Sequence, residues 1–191
     1  WGFFNLKKEN KIAIIGLGYV GLPLALAFSK HYKVVGYDVN EERVYSLQKG
    51  IDSNLDVVVS VNSNLVLSSN ENAIKEADMY IITVPTPVNA ENIPDLSFLQ
   101  SASQLVGKYL KEGDVVIYES TVYPGVTEDF CAPILAEISG LRYNTNFYCG
   151  YSPERISPGT DKYTLQNVVK VTSGSTTRVA DLVDNLYKKI I

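Results

Sequence analysis

The 191-residue chain contains one histidine, one methionine, one tryptophan and two cysteines. So few cysteines cannot make a disulfide framework, and Cys131 and Cys149 are expected to be reduced thiols in a cytoplasmic protein. With His31 the sole histidine and no cluster at metal-ligand spacing, no metal site is expected. Excess positive charge is also lacking. The net charge of −4 gives no basic field, which argues against a nucleic-acid partner. No apolar run approaches the ~20 residues of a membrane span, and no signal-peptide pattern opens the chain, so no membrane partner is expected. The chain opens on Trp1-Gly2 rather than Met, which reads as a trimmed start or one carrying foreign residues. Internal repeats and low-complexity tracts are absent as well.

What is present is ordinary globular composition, 46% apolar and 20% charged, in a length that buries one good core or holds one domain plus part of another. Apolar strand-like runs alternate with helical patterns, which predicts an α/β fold: a doubly wound, mostly parallel sheet of the Rossmann type. Strands are expected at residues 12–15, 34–37, 65–67, 79–84, 114–118 and 146–150, with a late one at 168–172. Helices are expected at 20–30, 41–48, 71–76, 97–110, 127–139 and 177–189, with Gly50 and Gly140 as stops. Residues 52–63, with Val57-Val58-Val59 in a polar surround, fit no element.

The most informative stretch is Lys11-Ile12-Ala13-Ile14-Ile15-Gly16-Leu17-Gly18-Tyr19-Val20-Gly21. A buried strand leads into a G-x-G-x-x-G turn and then an apolar helix. Bare glycine lets the backbone approach a pyrophosphate, and the helix amides and positive dipole end face the anion. Asp38 closes the second strand roughly 20 positions later, where an acid accepts hydrogen bonds from ribose hydroxyls. A carboxylate there repels a ribose phosphate, so NAD is preferred to NADP. Arg43 either covers the adenosine side or is a solvated helix charge.

Polar or proline-rich motifs follow the later strands and are expected to collect along one sheet edge. Thr83-Val84-Pro85-Thr86-Pro87 either faces the nicotinamide half or is a stiffened loop. Ser120 and Thr121 either order a water or the cofactor, or cap the next helix. Glu154 is a candidate general base or water-orienting group, against an ion pair with Arg155. Cys149 and Cys131 read as buried, inert thiols. His31 falls at the far end of the first helix, away from this edge.

Four motifs together resemble the UDP-glucose/GDP-mannose dehydrogenase family. They are Gly16-Leu17-Gly18-Tyr19-Val20-Gly21-Leu22-Pro23-Leu24-Ala25, Thr83-Val84-Pro85-Thr86-Pro87, Glu119-Ser120-Thr121-Val122-Tyr123-Pro124-Gly125, and Tyr151-Ser152-Pro153-Glu154-Arg155-Ile156-Ser157-Pro158-Gly159. The last looks most like the bacterial branch that oxidises UDP-N-acetylhexosamines, such as UDP-N-acetylmannosamine or UDP-N-acetylgalactosamine. The resemblance implies a two-step oxidation of the primary alcohol of a nucleotide sugar to a carboxylate, with two NAD⁺ reduced, for envelope polysaccharides. It implies that Gly16, Gly18, Tyr19, Val20, Gly21, Asp38 and Arg43 bind NAD, with Thr83, Pro85, Thr86, Ser120 and Thr121 near it. Thr121 and Glu154 are then the catalytic residues, managing the hydrolytic water, and Glu154, Arg155 and Ile156 border the UDP-sugar.

Two departures qualify the match. UDP-glucose dehydrogenases carry a second glutamate where this chain has Pro158. The family's nucleophilic cysteine, lysine and asparagine lie beyond the stretch that these 191 residues match, and neither cysteine here sits in that motif. Residues 1–191 are therefore expected to be one NAD-binding domain, the N-terminal part of a longer enzyme that dimerises through a middle helix, and inactive alone. A hydroxyacid or 3-hydroxyacyl dehydrogenase would share the first motif but not the later ones. A non-catalytic NAD-binding module is the remaining alternative.

Overall fold

The computed structural model describes residues 9–52, 57–154 and 169–191. Its elements are β1 (Lys11–Ile15), α1 (Gly21–Phe28), β2 (Lys33–Tyr37), α2 (Glu41–Gln48), β3 (Ile51–Asp52), β4 (Val57–Val58) and β5 (Leu65–Ser68). Then follow β6 (Met79–Ile82), α3 (Ser97–Gly107), β7 (Val115–Tyr118), α4 (Ala132–Ser139), β8 (Tyr148–Tyr151), β9 (Ser173–Gly174) and α5 (Thr177–Tyr187).

The strands are short apolar runs because both sheet faces are covered. Along β1, Ile12 and Ile14 enter one core while Ala13 and Ile15 enter the other. The first core packs Leu24 and Phe28 of α1 and Val179, Val183 and Leu186 of α5. The second packs Leu99 and Val106 of α3 and Leu135 of α4.

The sheet order is β5-β2-β1-β6-β7-β8-β9. Every pair from β5 to β8 is parallel, and β9 closes the edge antiparallel to β8. The winding reverses between β1 and β6, so a crevice opens at their carboxyl ends, the place where such sheets bind ligands.

Local chemistry sets the boundaries. The Asn40 side chain accepts from Arg43 N and caps α2, whose first turn carries Glu41 and Glu42. Thr176 caps α5 by accepting from Val179 N, and Gly140, at φ +70°, ends α4 in the left-handed conformation.

Four expectations change. The unplaced segment contains a small antiparallel hairpin of β3 and β4. The helix expected over 71–76 is one 3₁₀ turn, Glu71–Ile74, with the Asn70 side chain accepting from Asn72 N in place of a continuing ladder. The helix expected from Thr127 begins as a π-turn, Val126–Cys131. Pro133 lacks the N–H that would close an α-turn on Asp129. The late strand lies at Ser173–Gly174, not over 168–172. Val168 is outside the described residues, and Val169 and Val171 are exposed and join no core. Among the described residues no helix is long and apolar enough to cross a membrane.

Candidate active site

A cleft of about 510 Å³ runs along the carboxyl edge of the sheet. Five strand ends line it: Gly16, Gly18, Tyr19 and Val20 after β1, Asp38 after β2, and Thr83, Pro85 and Thr86 after β6. Glu119, Ser120 and Thr121 after β7 and Glu154 after β8 complete the wall.

The glycines of the turn do different things. Gly16 sits at φ +98°, a conformation that side-chain-bearing residues rarely adopt, and its amide donates to Tyr37 O at 2.8 Å. A Cβ on Gly21 would fall 1.9 Å from Gly16 O and 2.4 Å from Thr83 Oγ1, so only glycine lets α1 start directly over the turn. A Cβ on Gly18 would meet nothing within 4 Å, so the turn's bare side is the cleft itself. The first helical bond runs from Leu22 N to Gly18 O at 3.1 Å, which leaves the preceding amides outside the helix ladder. Thr83 Oγ1 lies 3.0 Å from Ile15 O and 2.8 Å from Gly16 O and braces the turn from β6.

Asp38 accepts from Leu17 N at 2.7 Å through one oxygen and from Asn40 N at 2.9 Å through the other. The remaining lone pairs of this carboxylate are available to the cleft that it lines. Arg43 is not a solvated helix charge. It is buried, its Nε donates to Leu17 O at 3.0 Å, and Nη1 pairs with the buried Asp52. It props the turn from behind.

The β6 and β7 loops are clipped together. Ser120 Oγ donates to Val84 O at 2.5 Å, and Thr86 Oγ1 donates to Thr121 O at 2.7 Å. Ser120 therefore does not cap the following helix, whose N-terminal flank is Gly125 at φ +94°.

Glu119 was not singled out from the sequence. It is fully buried, and Lys170 Nζ and Tyr187 Oη each donate to one of its carboxylate oxygens. Burial pushes its carboxyl up to about 7, against the opposing pull of Lys170 and Tyr187, with Glu154 adding a further upward push. The available signal was a carboxylate directly after the all-apolar run Val115-Val116-Ile117-Tyr118, which demands a cation from elsewhere. That cation lies 51 positions away, beyond any local pattern. Glu154 N donates to Glu119 O at 3.2 Å and so sits beside this cluster at the cleft. Arg155 and Ile156 lie outside the described residues.

Both thiols are buried, as expected. Burial pushes the Cys131 thiol up to about 11 and Cys149 well above its ordinary value, so neither is a ready thiolate. His31 is exposed in the turn that follows α1, at the opposite end of the helix from Gly21.

The comparisons agree with this geometry. The family described as "UDP-glucose/GDP-mannose dehydrogenase family, NAD binding domain" matches residues 10–191. The chain is 54% identical over 186 residues to a UDP-N-acetyl-D-glucosamine 6-dehydrogenase from Salmonella typhi, covering 96% of this chain and 44% of that protein. It is 50% identical over 187 residues to one from Pseudomonas aeruginosa, with the same coverage of 96% and 44%. Among solved structures, a UDP-D-ManNAc dehydrogenase from Pyrococcus horikoshii superposes with a TM-score of 0.82 at 31% identity, over 95% of this chain and 45% of that one. The chain thus spans a little under half the length of the relatives it matches. A dinucleotide turn, an acid at the second strand end and a family match over nearly every residue lead to one conclusion: the chain belongs to the UDP-glucose/GDP-mannose dehydrogenase family, as its NAD-binding domain.

Proposed function

We propose that these residues form the NAD-binding part of a longer nucleotide-sugar 6-dehydrogenase. The reaction is oxidation of the primary alcohol of a UDP-hexose or UDP-N-acetylhexosamine to the uronic acid, for envelope polysaccharide synthesis. The observation that carries this reading is the joining of the dinucleotide turn to Thr121 and Glu154 within one cleft.

The residues fit the cofactor. The open side of Gly18 receives a pyrophosphate, and Asp38 is held by two amides with lone pairs left for a ribose. NAD, when bound, supplies the hydride acceptor for both oxidation steps. The protein residues do the rest. Gly16, Gly18 and Gly21 shape the phosphate cradle together with the Tyr19 and Val20 backbone, while Arg43 and Thr83 brace it. Pro85 and Thr86 wall the nicotinamide end, clipped to Ser120 and Thr121. Thr121 and Glu154 hold water for the hydrolytic step, with the Glu154 carboxylate as the proton acceptor. Pro158 stands where UDP-glucose dehydrogenases have a second glutamate, which leaves Glu154 the acid of this motif to do so. Glu154, Arg155 and Ile156 border the sugar.

The names of the relatives at 54% and 50% identity favour UDP-N-acetyl-D-glucosamine as the first substrate to try. A cytoplasmic homodimer is the expected assembly of the whole enzyme. Its activity is tested by adding NAD and a panel of UDP-hexoses and UDP-N-acetylhexosamines to the full-length protein and following NADH absorbance. The expected result is two NADH per sugar, with the N-acetylhexosamines fastest. Turnover of a hydroxyacid or 3-hydroxyacyl substrate instead would sink the reading. Residues 1–191 alone are expected to bind NAD and produce no NADH.

A further inference from the structure

Three segments distant in sequence meet on one carboxylate at the cleft wall. Glu119 directly follows β7, Lys170 precedes β9, and Tyr187 is the last residue of α5. Lys170 Nζ also donates to Pro153 O at 3.3 Å, and Glu154 N donates to Glu119 O at 3.2 Å. The backbone that carries Glu154 is therefore tied to the end of β7 twice, once directly and once through the lysine. The Lys170 side chain is 4% exposed and Glu119 0%, and the ammonium lies 5.5 Å from the centroid of the Tyr187 ring.

We infer that Lys170 and Tyr187 are positioning residues that act through Glu119 to hold the Thr121 strand end and the Glu154 segment in one geometry, tied to α5.

A buried ion pair is a poor stabilising device. Desolvation opposes the attraction, and apolar side chains of similar volume often serve stability as well or better. Here Glu119 lines the cleft, and Lys170 reaches Pro153 O, next to the proposed water-handling acid. Position, not stability, is what this arrangement supplies. The charged and titratable groups facing the Glu119 carboxylate are Lys170, Tyr187 and Glu154. The raised Glu119 carboxyl means that acidification neutralises it near pH 7, which loosens its hold on Lys170.

The inference rests on the reading of the cleft as a dehydrogenase site, but its first readout does not need sugar turnover. In the full-length protein, Lys170→Met, Lys170→Arg, Tyr187→Phe, Glu119→Gln and the double variant Glu119→Gln/Lys170→Met are compared with the parent. Hydrogen exchange is followed at the Glu154 and Val122 amides. Lys170→Met is expected to speed Glu154 exchange at least ~10-fold, Tyr187→Phe a few-fold, and Lys170→Arg to restore it within ~3-fold. The double variant is expected to melt near the parent temperature while exchange stays fast, which separates positioning from stability. With a UDP-sugar that the parent oxidises, kcat is expected to fall at least ~10-fold in Lys170→Met with KM for NAD within ~3-fold. The acid limb of the kcat profile near pH 7 is expected to vanish in Glu119→Gln. Variants that melt lower but keep parental Glu154 exchange would overturn the inference. A parent that oxidises no UDP-sugar would overturn the proposed function and leave the exchange result standing. Tyr187→Phe removes a single hydroxyl and keeps the test readable if Lys170→Met does not fold.

Discussion

The carboxylate of Asp38 accepts the Leu17 amide at 2.7 Å, so the acid that follows β2 also holds the glycine turn that follows β1. On the proposed function, cofactor recognition and turn geometry share one side chain. Asp38→Asn keeps the shape but turns one acceptor into a donor facing an amide. NAD affinity is expected to fall at least ~10-fold, and stability by about 1–2 kcal/mol. Discrimination against NADP should narrow at the same time, because the repelling charge is gone. Titration with both nucleotides and a urea melt check this.

Gly18→Ala and Gly21→Ala are expected to fail in different ways. An alanine at 18 meets nothing within 4 Å in the protein, so the variant should melt within a few degrees of the parent. Its methyl projects into the cleft, where the proposed pyrophosphate site lies, and NAD affinity should fall at least ~10-fold. An alanine at 21 drives a methyl to 1.9 Å from Gly16 O and must displace α1 or the turn. It should lose both stability and NAD binding. Parallel thermal melts and NAD titrations separate the two.

Arg43→Met leaves the buried Asp52 without its guanidinium and Leu17 O without its donor. Destabilisation of about 3–5 kcal/mol is expected. Adding Asp52→Leu should recover much of that stability but not the NAD affinity, because the turn remains unpropped. Denaturant unfolding of the single and double variants gives the coupling directly.

At the opposite end of the sheet, burial pushes the Asp114 carboxyl from 3.8 up to about 6, although Lys111 N donates to it at 2.8 Å. Because the folded value is the higher one, protonation favours the folded state. The stabilising contribution is complete below pH ~4 and is lost as pH rises through about 6. Asp114→Asn should flatten the stability profile between those values. At pH 8 it should raise stability by on the order of 1–3 kcal/mol, measured by urea unfolding across pH.

Much of the scaffold was legible because its signals are local. Asn40 followed by Glu41 and Glu42, with Gly50 beyond, delimits α2 at the expected residues. The run into Gly16 marks β1 and the turn because strand burial, left-handed φ and helix start all fall within neighbouring residues. The late strand was misplaced for the converse reason. Val169 and Val171 carry strand propensity, but both are exposed, and the pairing went to Ser173–Gly174. There a Cβ on Gly174 would lie 2.3 Å from Ala180 N, so a small residue close under α5 outweighed strand propensity.

The cofactor turn, the acid after β2 and the hydroxyl motifs after later strands are matters of spacing, and spacing is written along the chain. Three things depended on which strands became neighbours. Arg43 faces inward because β3 brings Asp52 beneath it. Ser120 serves the β6 loop instead of a helix because β6 and β7 pair in parallel register. Glu119 acquires Lys170 because β9, just after it, pairs with β8, and Tyr187 because α5 packs back over β8. A buried charge needs its counter-charge in space, not in sequence, and only the folded sheet puts residues 119, 170 and 187 on one carboxylate.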